Sequence, residues 1–110
     1  METKEFGHSA IMEFAGKVEY SAEGIVSKRV LQKEKGNVSL FAFDKDQQLS
    51  EHSAPFDALI QVLDGQGRIT IGGKPFDLKA GQSIIMPANI PHAVYALEKF
   101  KMLLTMIKSE

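Results

Sequence analysis

The sequence predicts a single all-β domain, built as a sandwich or a barrel. Short apolar or alternating segments recur along most of the chain, clusters of Gly, Pro and Asp separate them, and almost no stretch has helical periodicity. Many short strands joined by turn residues are typical of β-sandwiches and β-barrels. A length of 110 residues leaves room for one core. Periodicity alone leaves a jelly roll, an open barrel and an immunoglobulin-like sandwich undecided.

The first third of the chain predicts an arm followed by the first strands. Residues 1–14 are expected to form an N-terminal arm, in which Ser9 can cap a short helical turn. A short strand is predicted over residues 17–20, and a longer one over residues 25–32, whose imperfect alternation indicates a sheet edge. Residues 38–43 are mostly apolar on both faces, so we expect this strand between two packed layers.

The remainder of the chain predicts further strands separated by glycine turns. The polar residues 44–50 predict a loop, and the strand over residues 56–63 is expected to end in a tight turn at Gly65. Gly72 and Gly81 mark later turns. The other predicted strands cover residues 67–71, 75–78, 83–86, 92–97 and 100–107, with a turn at residues 98–99 between the last two.

Composition excludes several classes of function. A net charge of -1 with both signs mixed along the chain gives no basis for binding nucleic acid or an anionic membrane. The absence of Cys removes disulfides, thiolate metal sites and cysteine nucleophiles. No segment is long and apolar enough for a membrane-spanning helix, and the polar N-terminus does not resemble a signal peptide. We therefore expect a cytoplasmic protein without a nucleic-acid or membrane partner.

A glycine–proline–histidine pattern organises the C-terminal half. Gly81 precedes a short buried strand, after which Pro87, Asn89 and Pro91 form a stiff turn that delivers His92 to the head of the next strand. The spacing of this stretch resembles the second motif of the cupin superfamily. Asn89 stands where that family usually has Gly, and Asn also tolerates a positive φ.

The first motif of the same family is only partly present. Counted back from Gly65, the two histidine positions of that motif fall on His52 and Ala54, and its glutamate position falls on Ala58. Of the four metal-ligand positions that the resemblance implies, His52 and His92 therefore keep a donor side chain. Two imidazoles leave a divalent metal site short of protein ligands.

The resemblance covers residues 38–107 and implies the cupin double-stranded β-helix, an antiparallel jelly-roll barrel. It also implies a pocket for a small, partly apolar molecule or an anion. The predicted lining of this pocket combines two imidazoles with apolar walls: His52, His92, Met86, Phe41, Ile60, Val62, Val94 and Met102. For each apolar side chain, ordinary burial in the core is the alternative explanation.

Metal binding at His52 and His92 is expected to be weak or absent, with Zn, Ni, Fe and Mn as the candidate ions. Asp57 is not expected to add a ligand, because side chains alternate along a strand and Asp57 then faces away from the side of Ala58. A bulge at residues 55–56 is the alternative that would turn Asp57 inward. Two alternative functions stay open. The resemblance implies a metal-dependent enzyme of the dioxygenase or isomerase type, and a non-catalytic regulatory or structural module is the other; whether the chain is an enzyme is undecided.

A homodimer is the expected assembly, partly because the resemblance to cupins implies one. Leu59 and Leu63 form an outward row on the predicted strand over residues 56–63, and this row is too apolar for a bare sheet face. An isologous contact would bury the same row on both subunits.

Overall fold

The computed structural model describes residues 5–109, which form an antiparallel jelly roll. The predicted all-β fold is confirmed, and the helical part of the described chain is a single 3-10 turn at Phe14–Gly16. The strands are β1 (Ile25–Lys33), β2 (Gly36–Phe43), β3 (Gln48–His52), β4 (Phe56–Ile71), β5 (Lys74–Lys79), β6 (Ser83–Met86) and β7 (His92–Lys108). No helix within residues 5–109 is long and apolar enough to cross a membrane.

Two long strands, β4 and β7, run through both layers of the molecule. The first layer contains β1, β2, the C-terminal half of β7, the N-terminal half of β4, and β6. The second layer contains β3, the N-terminal half of β7, the C-terminal half of β4, and β5. β4 passes from one layer to the other where its register with β7 shifts, between Val62 and Asp64 and again between Gly65 and Gly67.

The core lies between the two layers. Inward side chains alternate along β4, where Ala58, Ile60 and Val62 are buried in the first layer and Ile69 in the second. The buried residues that complete this core are Phe43, Leu78, Met86, Val94, Ala96, Phe100 and Met102. The rings of Phe43 and Phe100 stack with centroids 4.7 Å apart.

A second apolar cluster covers part of the outer face of the first layer. Val18, at 0% exposure, packs there with Leu40 and Leu103, and half-buried Leu63 joins the cluster. The Lys101 ammonium donates to the Ala15 carbonyl at 2.6 Å, which ties the N-terminal segment to β7. The segment formed by residues 5–20 therefore acts as a cover for this half of the face.

The N-terminal segment differs from its prediction in detail. Residues 17–20 are irregular rather than a strand, because they pack across the sheet through side chains instead of adding to its edge. Ser9 has a φ of 59°, and the 3-10 turn begins later, after Glu13. The helical turn expected after Ser9 is therefore wrong in position, and residues 1–4 of the predicted arm lie outside the described chain.

Three further predictions are corrected. Gly65, with a φ of 74°, lies in a bulge of β4 instead of a turn, and a left-handed glycine serves both structures equally well. Residues 98–99 continue β7 because this strand bends between the layers without breaking. Residues 48–50 belong to β3, since Leu49 turns inward to the core. The turns at Gly72 and Gly81 are confirmed.

Candidate functional site

His92 is held by a tightly bonded turn. Asn89 takes a φ of 65°, which supplies the left-handed conformation expected at this position. Its N–H donates to the Ala54 carbonyl at 2.8 Å, and the Gly72 N–H donates to the Pro91 carbonyl at 2.8 Å. These two bonds tie both sides of the turn to neighbouring segments, so the direction in which His92 enters β7 is fixed.

Asp57 belongs to this turn and not to the barrel interior. Its Oδ1 atom accepts a hydrogen bond of 2.9 Å from the Ala88 N–H. Asp57 is exposed, whereas the neighbouring Ala58 is buried, as strand alternation predicts. The sequence indicated where Asp57 points, but it carried no signal for the bond to Ala88.

His52 and His92 are brought together by the pairing of β3 with β7. They are direct partners in this antiparallel ladder. Their ring centroids lie 4.4 Å apart, and the ring planes meet at 65°. His52 is exposed and His92 is 8% exposed, so the pair extends from the surface of the second layer towards its interior.

Each ring is fixed by the carbonyl group two residues earlier in the chain. His52 Nδ1 lies 2.9 Å from the Ser50 oxygen, and His92 Nδ1 lies 3.3 Å from the Ile90 oxygen. A carbonyl oxygen only accepts, so Nδ1 must carry the proton in both rings. In the neutral form, each Nε2 atom then has a free lone pair.

Burial keeps His92 neutral. Desolvation is the main cause that lowers the pKa of His92 below its usual 6.5, and the nearby His52 adds to the lowering. The hydrogen bond to Ile90 opposes this shift but is weaker. At neutral pH His92 therefore offers a hydrogen-bond acceptor rather than a positive charge.

The family of the chain follows from a comparison with known domains. A family model described as a cupin domain matches residues 39–108. The chain belongs to the cupin family. This cupin matches none of the curated proteins.

Several solved structures have the same fold as this cupin. A conserved protein of unknown function from Streptococcus pyogenes is 34% identical, with 97% of this chain and 94% of that chain covered and a TM-score of 0.91. A cupin 2 conserved barrel domain protein from Leptotrichia buccalis is 47% identical over 86% of this chain, with a TM-score of 0.83, and the match spans 46% of that chain. A cupin superfamily protein from Desulfitobacterium hafniense is 24% identical over the full length of both chains, with a TM-score of 0.88.

The residues present do not make a full protein shell for a metal ion. Within residues 5–109, no group of three or more His, Cys, Asp or Glu side chains could hold one. Ala54 and Ala58 stand at the other two ligand positions, and Ala58 is 3% exposed and paired with Met86 in the β4–β6 ladder. A tightly held divalent ion generally needs three or more protein ligands.

The apolar side chains predicted to line a pocket lie in or against the core. Ile60, Val62, Val94, Met86 and Met102 are each at most 3% exposed. The remaining wall residue, half-buried Phe41, packs against them. Their role in a ligand pocket stays a prediction, since burial of this kind serves packing as well as it serves a cavity wall.

Proposed function

We propose that this cupin binds a small molecule through the His52–His92 pair, with metal bound weakly or not at all. The observation that carries the proposal is the contact between two imidazoles 4.4 Å apart, each with its Nδ1 proton engaged by a backbone carbonyl. This arrangement leaves an Nε2 lone pair on each ring in its neutral form, and the apolar core begins on the inner side of the largely buried His92. Few polar groups at the edge of an apolar wall are typical of small-molecule sites.

The tautomer of the two rings, together with the lowered pKa of His92, favours one ligand class. A neutral imidazole with Nδ1 protonated accepts a hydrogen bond at Nε2, so it suits a hydroxyl, amide or other donor on the ligand. The lowered pKa of His92 disfavours an imidazolium that would attract an anion near neutral pH. We therefore place uncharged, donor-bearing and partly apolar molecules ahead of anions.

A ligand screen by thermal shift at neutral pH tests this proposal. Matched neutral alcohols and amides are compared with the corresponding carboxylates, and the neutral compounds are expected to raise the melting temperature of wild type. His52→Ala and His92→Ala should each lose the shift. His8→Ala is the control, because His8 is exposed and the third histidine of the chain. A shift that survives both His52→Ala and His92→Ala would place the ligand elsewhere.

The metal-dependent enzyme is the second candidate, because the two free Nε2 atoms also suit Zn, Ni, Fe or Mn. Titration calorimetry with Zn²⁺ or Ni²⁺ decides between the two. We expect weak binding to wild type, and binding tighter by about 100-fold or more after Ala54→His with Ala58→Glu restores the missing donors. One equivalent of metal retained by wild type through chelator treatment would put the enzyme first. With neither metal nor ligand bound, the regulatory or structural module remains.

A further inference from the structure

The turn that delivers His92 has no buried side chain of its own. Within residues 87–91, Ala88 is half-buried and the other four residues are exposed. Packing of side chains therefore contributes little to the position of this turn. Its place is fixed by the hydrogen bonds that its backbone makes to neighbouring segments.

Among the described residues, three hydrogen bonds connect the turn to other segments, and one of them uses a side chain. Two of the bonds join backbone groups, at Asn89 and at Pro91. In the third bond, the Ala88 N–H donates to Asp57 Oδ1 at 2.9 Å. A carboxylate accepts a stronger hydrogen bond from an N–H group than a neutral carbonyl does. Asp57 is therefore the one side chain through which a substitution can loosen the turn.

The ring of His92 depends on the position of this turn more than the ring of His52 depends on its own surroundings. His92 Nδ1 lies 3.3 Å from the Ile90 oxygen of the turn, whereas His52 Nδ1 lies 2.9 Å from the Ser50 oxygen of β3. The longer bond is close to the limit of hydrogen bonding, so a retreat of the Ile90 carbonyl by about 0.3 Å would break it. The bond at Ile90 is therefore the more sensitive of the two.

We propose that Asp57 is a positioning residue for His92. By holding Ala88, Asp57 keeps the Ile90 carbonyl in the place from which it selects the Nδ1–H tautomer and leaves Nε2 free. Prolines at both ends of the turn fix two φ angles, so a displacement at Ala88 reaches Ile90 instead of being absorbed between them. The inference rests on the proposed function, because the state of Nε2 matters to a molecule bound there. Asp57 acts on the site from outside the barrel, through the backbone.

Long-range proton–nitrogen NMR spectra of Asp57→Ala at neutral pH test the proposal without any ligand. We expect the difference between the Nδ1 and Nε2 shifts of His92 to shrink by about half or more, because without the Ile90 acceptor the proton exchanges between both nitrogens. His52 should keep its protonated Nδ1, since Ser50 lies on β3 and not on the turn. Asp57→Asn should restore most of the wild-type His92 signal, because its amide oxygen can accept the same hydrogen bond.

Two controls separate positioning from a general loss of stability. Asp77→Ala removes another exposed and hydrogen-bonded carboxylate, on the outer face of the second layer, and should leave the His92 signal unchanged. Leu63→Lys loosens the cluster beneath the N-terminal segment and should also leave that signal unchanged. All spectra are recorded at a temperature where circular dichroism shows each variant to be folded.

Three results would overturn the proposal. They are a wild-type His92 with its proton on Nε2, a His92 signal that Asp57→Ala leaves unchanged, and an Asp57→Asn signal no closer to wild type than that of Asp57→Ala. The same change in Leu63→Lys would also overturn it, by showing that the ring follows stability alone. The proposed function fails separately, if no neutral compound shifts the melting temperature of wild type, and the nitrogen spectra still decide whether Asp57 positions the ring.

Discussion

The outer faces of the two layers are suited to different surroundings. The second layer carries a polar row, in which the Tyr95 hydroxyl donates to Asp46 at 2.6 Å and Arg68 pairs with Asp77 at 2.7 Å. The first layer carries an apolar face, half covered by residues 5–20 and half bare. The polar side chains of the second layer are paired with one another at the surface. The first layer still exposes apolar side chains to solvent. The histidine pair and the bare apolar half of this outer face therefore lie on separate layers.

The largest effect is expected at Gly65, where β4 crosses from one layer to the other. Gly65→Ala should destabilise the whole fold by about 3 kcal/mol or more, because it combines a left-handed φ with a clash against the Lys99 carbonyl of β7. Gly73→Ala is the control, since Gly73 has a φ of 83° and open space around it. Its cost should be about 1–2 kcal/mol. Urea unfolding measures both values, and equal losses would remove the special role of the bulge.

A second prediction separates the covered half of the first layer from its bare half. Leu63→Lys should lower the free energy of unfolding by about 2 kcal/mol, because it loses packing beneath the N-terminal segment. Leu59→Lys, four residues away on the same face, lies outside that cluster, so it should leave stability nearly unchanged and instead weaken the dimer that the sequence predicts. Denaturant unfolding and sedimentation are measured on both variants. Reversed effects would mean that the covered half and the bare half of this face have been assigned wrongly.

The histidine pair gives the second layer a pH dependence. The pKa of His92 is lowered in the folded chain, so the unfolded chain takes up the proton more readily. Stability should therefore be complete above the ordinary pKa of 6.5 and decline as the pH falls below it. His92→Gln should remove this part of the decline, and His8→Gln should leave it unchanged. Thermal melts between neutral and mildly acidic pH measure the difference, and equal slopes for wild type and His92→Gln would contradict the burial of a neutral ring.

The smallest effect is expected from the polar row. The Arg68 and Asp77 side chains are 43% and 40% exposed, so solvent screens their ion pair even though the hydrogen bonds to Arg68 lower the pKa of Asp77. Arg68→Ala should change the melting temperature no more than an ordinary surface substitution. A large loss of stability would show that the second layer depends on its outer face as much as the first layer does.

Particular residues show how far the sequence could predict this molecule. The spacing of Gly81, Pro87 and Asn89 was sufficient to predict the turn before His92, because few residues adopt those backbone conformations. The same local signals could not separate a bulge from a turn at Gly65. They also gave no information about the covering of Leu63, because that contact joins segments far apart in the chain.

In the candidate site, too, some features could be predicted from the sequence and others could not. Strand alternation predicted the outward direction of Asp57, and motif spacing singled out His52 and His92. The Ser50 and Ile90 carbonyls that fix the two rings could not be predicted, since backbone acceptors leave no trace in the sequence. The pocket role of the apolar residues remains a prediction for a related reason: core and pocket wall have the same composition.

The central claim is that both rings of the histidine pair carry a proton on Nδ1, which leaves Nε2 free, and that burial keeps His92 neutral. Long-range proton–nitrogen NMR spectra of the three histidine rings test it most directly when recorded through a pH titration. We predict protonated Nδ1 and unprotonated Nε2 in His52 and His92 at neutral pH, with the pKa of His92 below 6.5. His8 serves as the internal reference for a solvated ring. A proton on Nε2 of either paired ring, or a pKa of His92 above 6.5, would contradict the account.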